Sequence, residues 1–182
     1  MKRTLSLALC TVVTGLFSES AIAQILATVN VPGVVNFGGT VGSADGNANN
    51  SVVSGLGTVG ASAAMGNGVI INSAELTSVL PGTWQQEEQI RLENSAFPGQ
   101  SYRFQLGASG ATFTTVSIPA GTFRPWLVDA LLGGNIPSGS TWTIEAFDSA
   151  NDGAGPDASG QNISFGIKAG SPPPSGALST IN

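Results

Sequence analysis

Apolar and polar side chains alternate with a period of two through most of this chain, the spacing of half-buried β-strands. Ile25, Ala27, Val29 and Val31 alternate with Leu26, Thr28 and Asn30. Ile90 and Leu92 alternate with Gln89, Arg91 and Glu93. Tyr102, Phe104 and Leu106 alternate with Ser101, Arg103 and Gln105. Thr114, Val116 and Ile118 form a further apolar-leaning face. Trp142, Ile144 and Ala146 repeat the pattern, as do Ile163, Phe165 and Ile167. Turn signals separate the runs: Pro32-Gly33, Pro81-Gly82, Pro98-Gly99, Pro119-Ala120-Gly121 and Gly133-Gly134-Asn135. The spacing predicts an all-β protein, a jelly-roll-like antiparallel β-sandwich of about eight to ten strands. One short helix at most is expected, over Pro125–Leu132. Proline suits its first turn, and Trp126 and Ala130, like Leu127 and Leu131, stand four apart.

Three segments break the alternation. Residues 1–23 open with Lys2 and Arg3, continue through the apolar run from Leu5 to Phe17, and end in Ala21-Ile22-Ala23. That is the form of a secretory signal peptide. Its apolar run is shorter than the ~20 residues of a membrane span. A lipoprotein reading at Cys10 would leave almost no apolar run before the cleavage point. Gly38–Gly68 is rich in Gly, Ala, Ser and Asn and reads as a surface loop or weakly paired edge hairpin, with an adaptable binding loop as the functional alternative. Val52-Val53 and Val69-Ile70-Ile71 are expected in the strands on either side. Residues 170–182 carry Pro172-Pro173-Pro174 and read as a flexible, extended tail. One domain over residues 24–169 remains, with no membrane anchor in the mature chain.

Removing residues 1–23 from 182 leaves 159, with four basic and ten acidic residues and a net charge of −6. A chain so poor in Lys and Arg is a poor partner for nucleic acid or anionic membranes. It contains no His, and its single Cys10 leaves with the leader. Ser-His-Asp and Cys-His catalysis and ordinary zinc sites are thereby excluded. Few charges, many hydroxyl and amide side chains and no disulfide describe an exported, β-rich protein, secreted to the cell surface, the medium or the periplasm of a bacterial cell.

Carboxylates are the remaining reactive groups. Glu87 and Glu88 are adjacent in an expected strand and point to opposite faces. Glu88 shares parity with Ile90 and Leu92, which points it inward, near Arg91 or Arg103. A glycosidase would need two carboxyls ~5–10 Å apart, and Glu88 with Glu145 or Asp129 is the pairing to consider. The segment 139–157 runs from a strand into an acidic, glycine-bearing loop. Asp148, Asn151, Asp152 and Asp157 place four oxygen-bearing side chains within ten residues. Ca²⁺ takes six to eight oxygens, including loop carbonyls, so Asp148, Asp152 and Asp157 are candidate calcium ligands. The alternative is a hairpin turn whose Asp and Asn side chains cap their own backbone.

Gly139, Trp142, Thr143, Ile144, Asp148, Asp152 and Gly153, followed by Ile163-Ser164-Phe165, resemble the terminal hairpin of P-domain-like modules. These are the proprotein-convertase P-type jelly rolls found beside secreted proteases and in exported bacterial proteins. Thr83–Leu92 also looks like a strand of such sandwiches, so the similarity covers roughly residues 74–168. The resemblance implies a jelly-roll sandwich, calcium at the acidic loop, and a stabilising or positioning role without catalysis. Gly38–Gly68 has no counterpart in the pattern.

Three functions follow as expectations. The first is a secreted, non-catalytic binding module acting on an extracellular glycan or surface protein. Tryptophans stack on sugar faces, and Trp84, Trp126 and Trp142 are available. The parity of Trp142 places it in the core, and Trp126, near a turn, is the expected ligand-binding residue. The second is a matrix or envelope protein that self-associates through edge strands. The third is a carboxylate-based glycoside hydrolase.

Overall fold

The computed structural model describes residues 24–39, 50–127, 134–150 and 155–170. The leader, the tail beyond residue 170 and Asp152 lie outside the described residues. Eleven strands occur among them, slightly more than the spacing predicts: β1 Ile25–Asn30, β2 Val34–Gly39, β3 Ser51–Leu56, β4 Ala63–Ser78, β5 Glu88–Asn94, β6 Ser101–Gln105, β7 Thr115–Ile118, β8 Phe123–Pro125, β9 Asn135–Ile136, β10 Trp142–Asp148 and β11 Pro156–Ala169. The described residues contain no helix, and so none long and apolar enough to cross a membrane.

The strands form one curled sheet in the order β6-β5-β10-β2-β11-β4-β7. β5 lies along one side of β10. On its other side β3 pairs with residues 142–146 and β2 with residues 147 and 148. The β2–β10 contact is parallel; every other pairing is antiparallel. β2 passes the sheet on to β11, whose other flank carries β4. β1 and β2 therefore share one edge of β11: β1 takes residues 164–168 and β2 takes 156–161. All three ribbons change register at the same level. Pro32-Gly33 interrupts β1–β2, Asn162 adopts φ 54° in β11, and β4 shifts register between Ser73 and Glu75.

The curl brings two inner faces together. Ile90, Leu92, Phe104, Trp142 and Ile144 come from β5, β6 and β10, and all are fully buried. Val29, Val69, Ile71, Phe165 and Ile167 come from β1, β4 and β11 and are buried likewise. Phe104 meets Phe165 edge-on across the interface, with ring centroids 5.1 Å apart at 69°, the arrangement aromatic quadrupoles favour. The inward parity of Trp142 places it at the centre of this layer.

Four local expectations are corrected. A register shift between Ile25 and Ala27 turns Leu26 inward and leaves Ile25 42% exposed, because a bulge moves two successive residues onto one face. Pro125 ends a strand instead of opening a helix. It pairs with Gly68, and the main-chain N–H groups of Trp126 and Leu127 donate to Asn67 and Arg103 carbonyls. Residues 128–133 lie outside the described part. Proline is tolerated there because an edge strand needs no donor on its outer side. Within 38–68, β3 holds Val52-Val53 as expected, but β4 begins earlier than the strand expected around Val69-Ile70-Ile71, at Ala63, and Val59 is buried. Finally, β11 begins at Pro156, so Asp157 stands in a strand and not in the acidic loop.

Candidate functional site

Trp84 is the most exposed of the three tryptophans, at 41%; Trp142 is fully buried and Trp126 half-buried. The backbone around it is fixed from several sides. Trp84 N–H donates to Glu87 Oε2 at 3.1 Å, and Glu87 N–H donates back to the Trp84 carbonyl at 3.0 Å. Gln85 N–H donates to the Ala111 carbonyl at 3.0 Å. The Gln85 and Gln86 side-chain oxygens accept from the N–H groups of Ala108 and Gly110. Gly107 lets the two segments close: a Cβ there would lie 2.3 Å from the Gln85 carbonyl oxygen.

Trp84 is bridged antiparallel to Thr112, and directly opposed residues project to the same side. Thr112 is part of the wall of an open groove of about 490 Å³, formed by residues 78–82 and 112–114. Its walls are held in place. Ser78 N–H donates to the Thr114 carbonyl, and Val79 and Leu80 N–H both donate to the Asp157 carbonyl. Thr83 Oγ1 donates to the Leu80 carbonyl at 2.9 Å. Among the described residues, no ionisable side chain lines this groove. Its chemistry is hydroxyl and apolar, with an indole beside it.

Trp126, the ligand-binding residue expected from sequence, is committed to packing. Its ring lies 5.2 Å from Tyr102 and 6.2 Å from Phe104. Its Nε1 donates to the Gly66 carbonyl at 2.8 Å. Nothing in the residue types around Trp84 marked it instead. Thr83–Leu92 reads as one strand, whereas residues 81–87 turn and β5 begins at Glu88.

Two of the three candidate calcium ligands, Asp148 and Asp157, lie on the strands that flank the end of β2. Asp148 closes β10 and is fully buried; its Oδ1 accepts from Ala150 N–H at 2.7 Å, the self-capping geometry of an Asx turn. Asp157 is fully buried at the bulge of β11, across β2 from Asp148. Glu88 is also buried, directly opposite Asp148 in the β5–β10 register, and sequence parity placed it inward without revealing that neighbour. Among the described residues no three acidic side chains converge to hold a metal ion.

The carboxyl pairing considered for a hydrolase separates. Glu88 shares the inner face with Ile90, while Glu145 lies on the other face of β10. There Oε1 of Glu145 accepts from Asn50 Nδ2 at 2.8 Å and Oε2 from Arg91 Nη1 at 3.2 Å. Arg91 also reaches Glu93 at 3.5 Å. Arg91 therefore pairs with Glu145 and Glu93 on the outer face. Asp129 lies outside the described residues.

No family model, curated protein or solved structure matches the chain. The resemblance of roughly residues 74–168 to P-domain-like modules rests on the sequence pattern alone.

Proposed function

We propose that this protein is a secreted, non-catalytic β-sandwich module that binds an uncharged glycan at the Trp84 groove, at the cell surface or in the extracellular matrix. The observation that carries the reading is an exposed indole, bridged through its backbone to Thr112 of a groove whose described walls hold no ionisable side chain. Sugars present apolar C–H faces that cover an indole and hydroxyls that exchange hydrogen bonds with Ser and Thr. The groove offers hydroxyl and apolar walls in similar measure, a mixture that matches the C–H and O–H surfaces of a sugar. Export is supported by the form of residues 1–23.

The test is isothermal titration and affinity electrophoresis against a panel of neutral polysaccharides. Trp84→Ala is expected to weaken binding at least tenfold, about 1.4 kcal/mol. Its melting temperature should stay close to wild type, because truncating an exposed side chain usually changes stability by about 0.5 kcal/mol or less. Trp126→Ala is expected to lower stability instead, since it removes ring contacts and a hydrogen bond. Absence of binding across the panel, or equal binding by Trp84→Ala, overturns the reading.

Calcium at the 148–157 segment is a separate proposal resting on the sequence pattern. A bound ion raises stability by about 2.7 kcal/mol at a hundredfold excess over Kd. Melting in EGTA and in a Ca²⁺ titration should show a saturable rise that Asp152→Asn abolishes; a flat titration leaves these aspartates as turn and strand residues.

A further inference from the structure

We infer that Thr83 is the positioning residue of the Trp84 site: its buried hydroxyl holds the turn that carries the indole against the wall of the groove. This rests on the reading of the Trp84 groove as a glycan site. Thr83 is fully buried. It stands between the two parts of the site, next to Trp84 in the chain and one residue beyond the groove wall 78–82. Pro81-Gly82, with Gly82 at φ 96°, turns the chain between Leu80 and Thr83.

The bonds converge on the Leu80 peptide. Its N–H donates to the Asp157 carbonyl at 3.1 Å. Its carbonyl accepts from two hydroxyls, Ser78 Oγ at 2.6 Å and Thr83 Oγ1 at 2.9 Å. Thr83 Oγ1 also stands 3.3 Å from the Asp157 carbonyl, which accepts from Val79 N–H at 2.8 Å as well. The far end of the Trp84 turn is tied too, where Ser149 N–H donates to the Glu87 carbonyl at 2.9 Å. The donors separate positioning from stability. Without the Thr83 hydroxyl, the Leu80 carbonyl keeps Ser78 Oγ, and the Asp157 carbonyl keeps two N–H groups. Neither acceptor is left bare, so the full penalty of an unpaired buried carbonyl does not arise. What goes is the link between the groove wall and the residue before Trp84. Binding groups have to be held within about 0.5 Å of their working geometry by just such supporting bonds.

The experiment compares Thr83→Val, which keeps the shape and loses the hydroxyl, with Thr83→Ser, which keeps the hydroxyl. Each is titrated with a neutral polysaccharide that wild type binds, and its tryptophan fluorescence is quenched with acrylamide in the absence of ligand. Thr83→Val is expected to bind at least fivefold more weakly, and Thr83→Ser within twofold of wild type. Both should melt within about 4 °C of wild type, the shift of one hydrogen bond in a chain of this size. Quenching is expected to rise in Thr83→Val and not in Thr83→Ser, and the rise should vanish when Trp84→Ala is added. Wild-type affinity in Thr83→Val, equal weakening of both variants, or weakened binding with unchanged quenching overturns the positioning role and leaves the Trp84 site standing. If wild type binds no polysaccharide, the glycan reading falls and takes the binding role of Thr83 with it, while the quenching comparison still decides whether the hydroxyl holds the Trp84 turn.

Discussion

Gly68→Ala is expected to lower the melting temperature by roughly 6–12 °C, the equivalent of about 3 kcal/mol in a chain of this size. Gly68 pairs with Pro125 where β8 lies on β4. A Cβ there would stand 2.2 Å from the Arg124 carbonyl oxygen and 2.9 Å from the Pro125 Cα. Both are main-chain atoms, so no rotamer change relieves the clash, and β8 has to move. That displaces Trp126, which is tied to the neighbouring Gly66. It also disturbs Arg124, whose Nε donates to the Leu106 carbonyl at 3.0 Å and whose pKa burial pushes below its ordinary value. Opposing this, alanine reduces the entropy of the unfolded chain by the equivalent of about 0.4–1 kcal/mol, too little to offset the clash. Gly60→Ala isolates that small term, because nothing lies within 4 Å of its Cβ position and its φ is not left-handed. Thermal unfolding of the two variants should move in opposite directions. An unchanged Gly68→Ala melting curve would mean that β8 is not packed on β4 in solution.

Phe165→Ala should be at least as costly, about 3–5 kcal/mol. Phe165 is fully buried, pairs with Val29 and Ile71 on its two flanks, and meets Phe104 from the opposite layer. A loss of that size is about a fifth or more of a typical domain's stability. Denaturant titration should show the midpoint falling. Adding Phe104→Leu distinguishes area from geometry: a coupling of about 0.5–1.5 kcal/mol between the two positions is the signature of an edge-on ring pair. Strict additivity would mean the two layers are not in register as described.

How much of this was legible in the residues varies by strand. β5 and β6 were readable because each alternates without interruption, as β10 does from Trp142 to Ala146, and the inward parity of Glu88 and Trp142 followed from that alone. β1 was misread by one face at its start, since a bulge leaves no mark in an apolar run such as Ile25-Leu26-Ala27. The first turn of β4, Ala63-Ala64-Met65-Gly66-Asn67-Gly68, has no alternation to read. Its order comes from neighbours, including the Met65–Ala169 pairing and the Trp126–Gly66 bond. Trp84 escaped for the same reason. Its setting is decided by main-chain and side-chain hydrogen bonds between the neighbouring Gln85 and Gln86 and residues 108–111, more than twenty positions away, and composition carries no trace of them. The pairing of Glu88 with Asp148 is likewise a matter of register.

The shared edge of β11 bears on the order in which the molecule can assemble. β1 finds its main-chain partners only in residues 164–168, at the far end of the described chain. β2, too, is held chiefly by residues 156–161. Pairings so distant in sequence close large loops before they return any stabilisation, and proteins built from them fold in milliseconds to seconds, not microseconds. Until β11 emerges, Leu26, Ala27, Val29, Val35 and Phe37 have no sheet to enter, and the early part of the chain stays open. The β5–β6 hairpin spans a far shorter separation and the β5–β10 pairing an intermediate one, and they are the natural place for order to begin, with β1 and β2 joining β11 last.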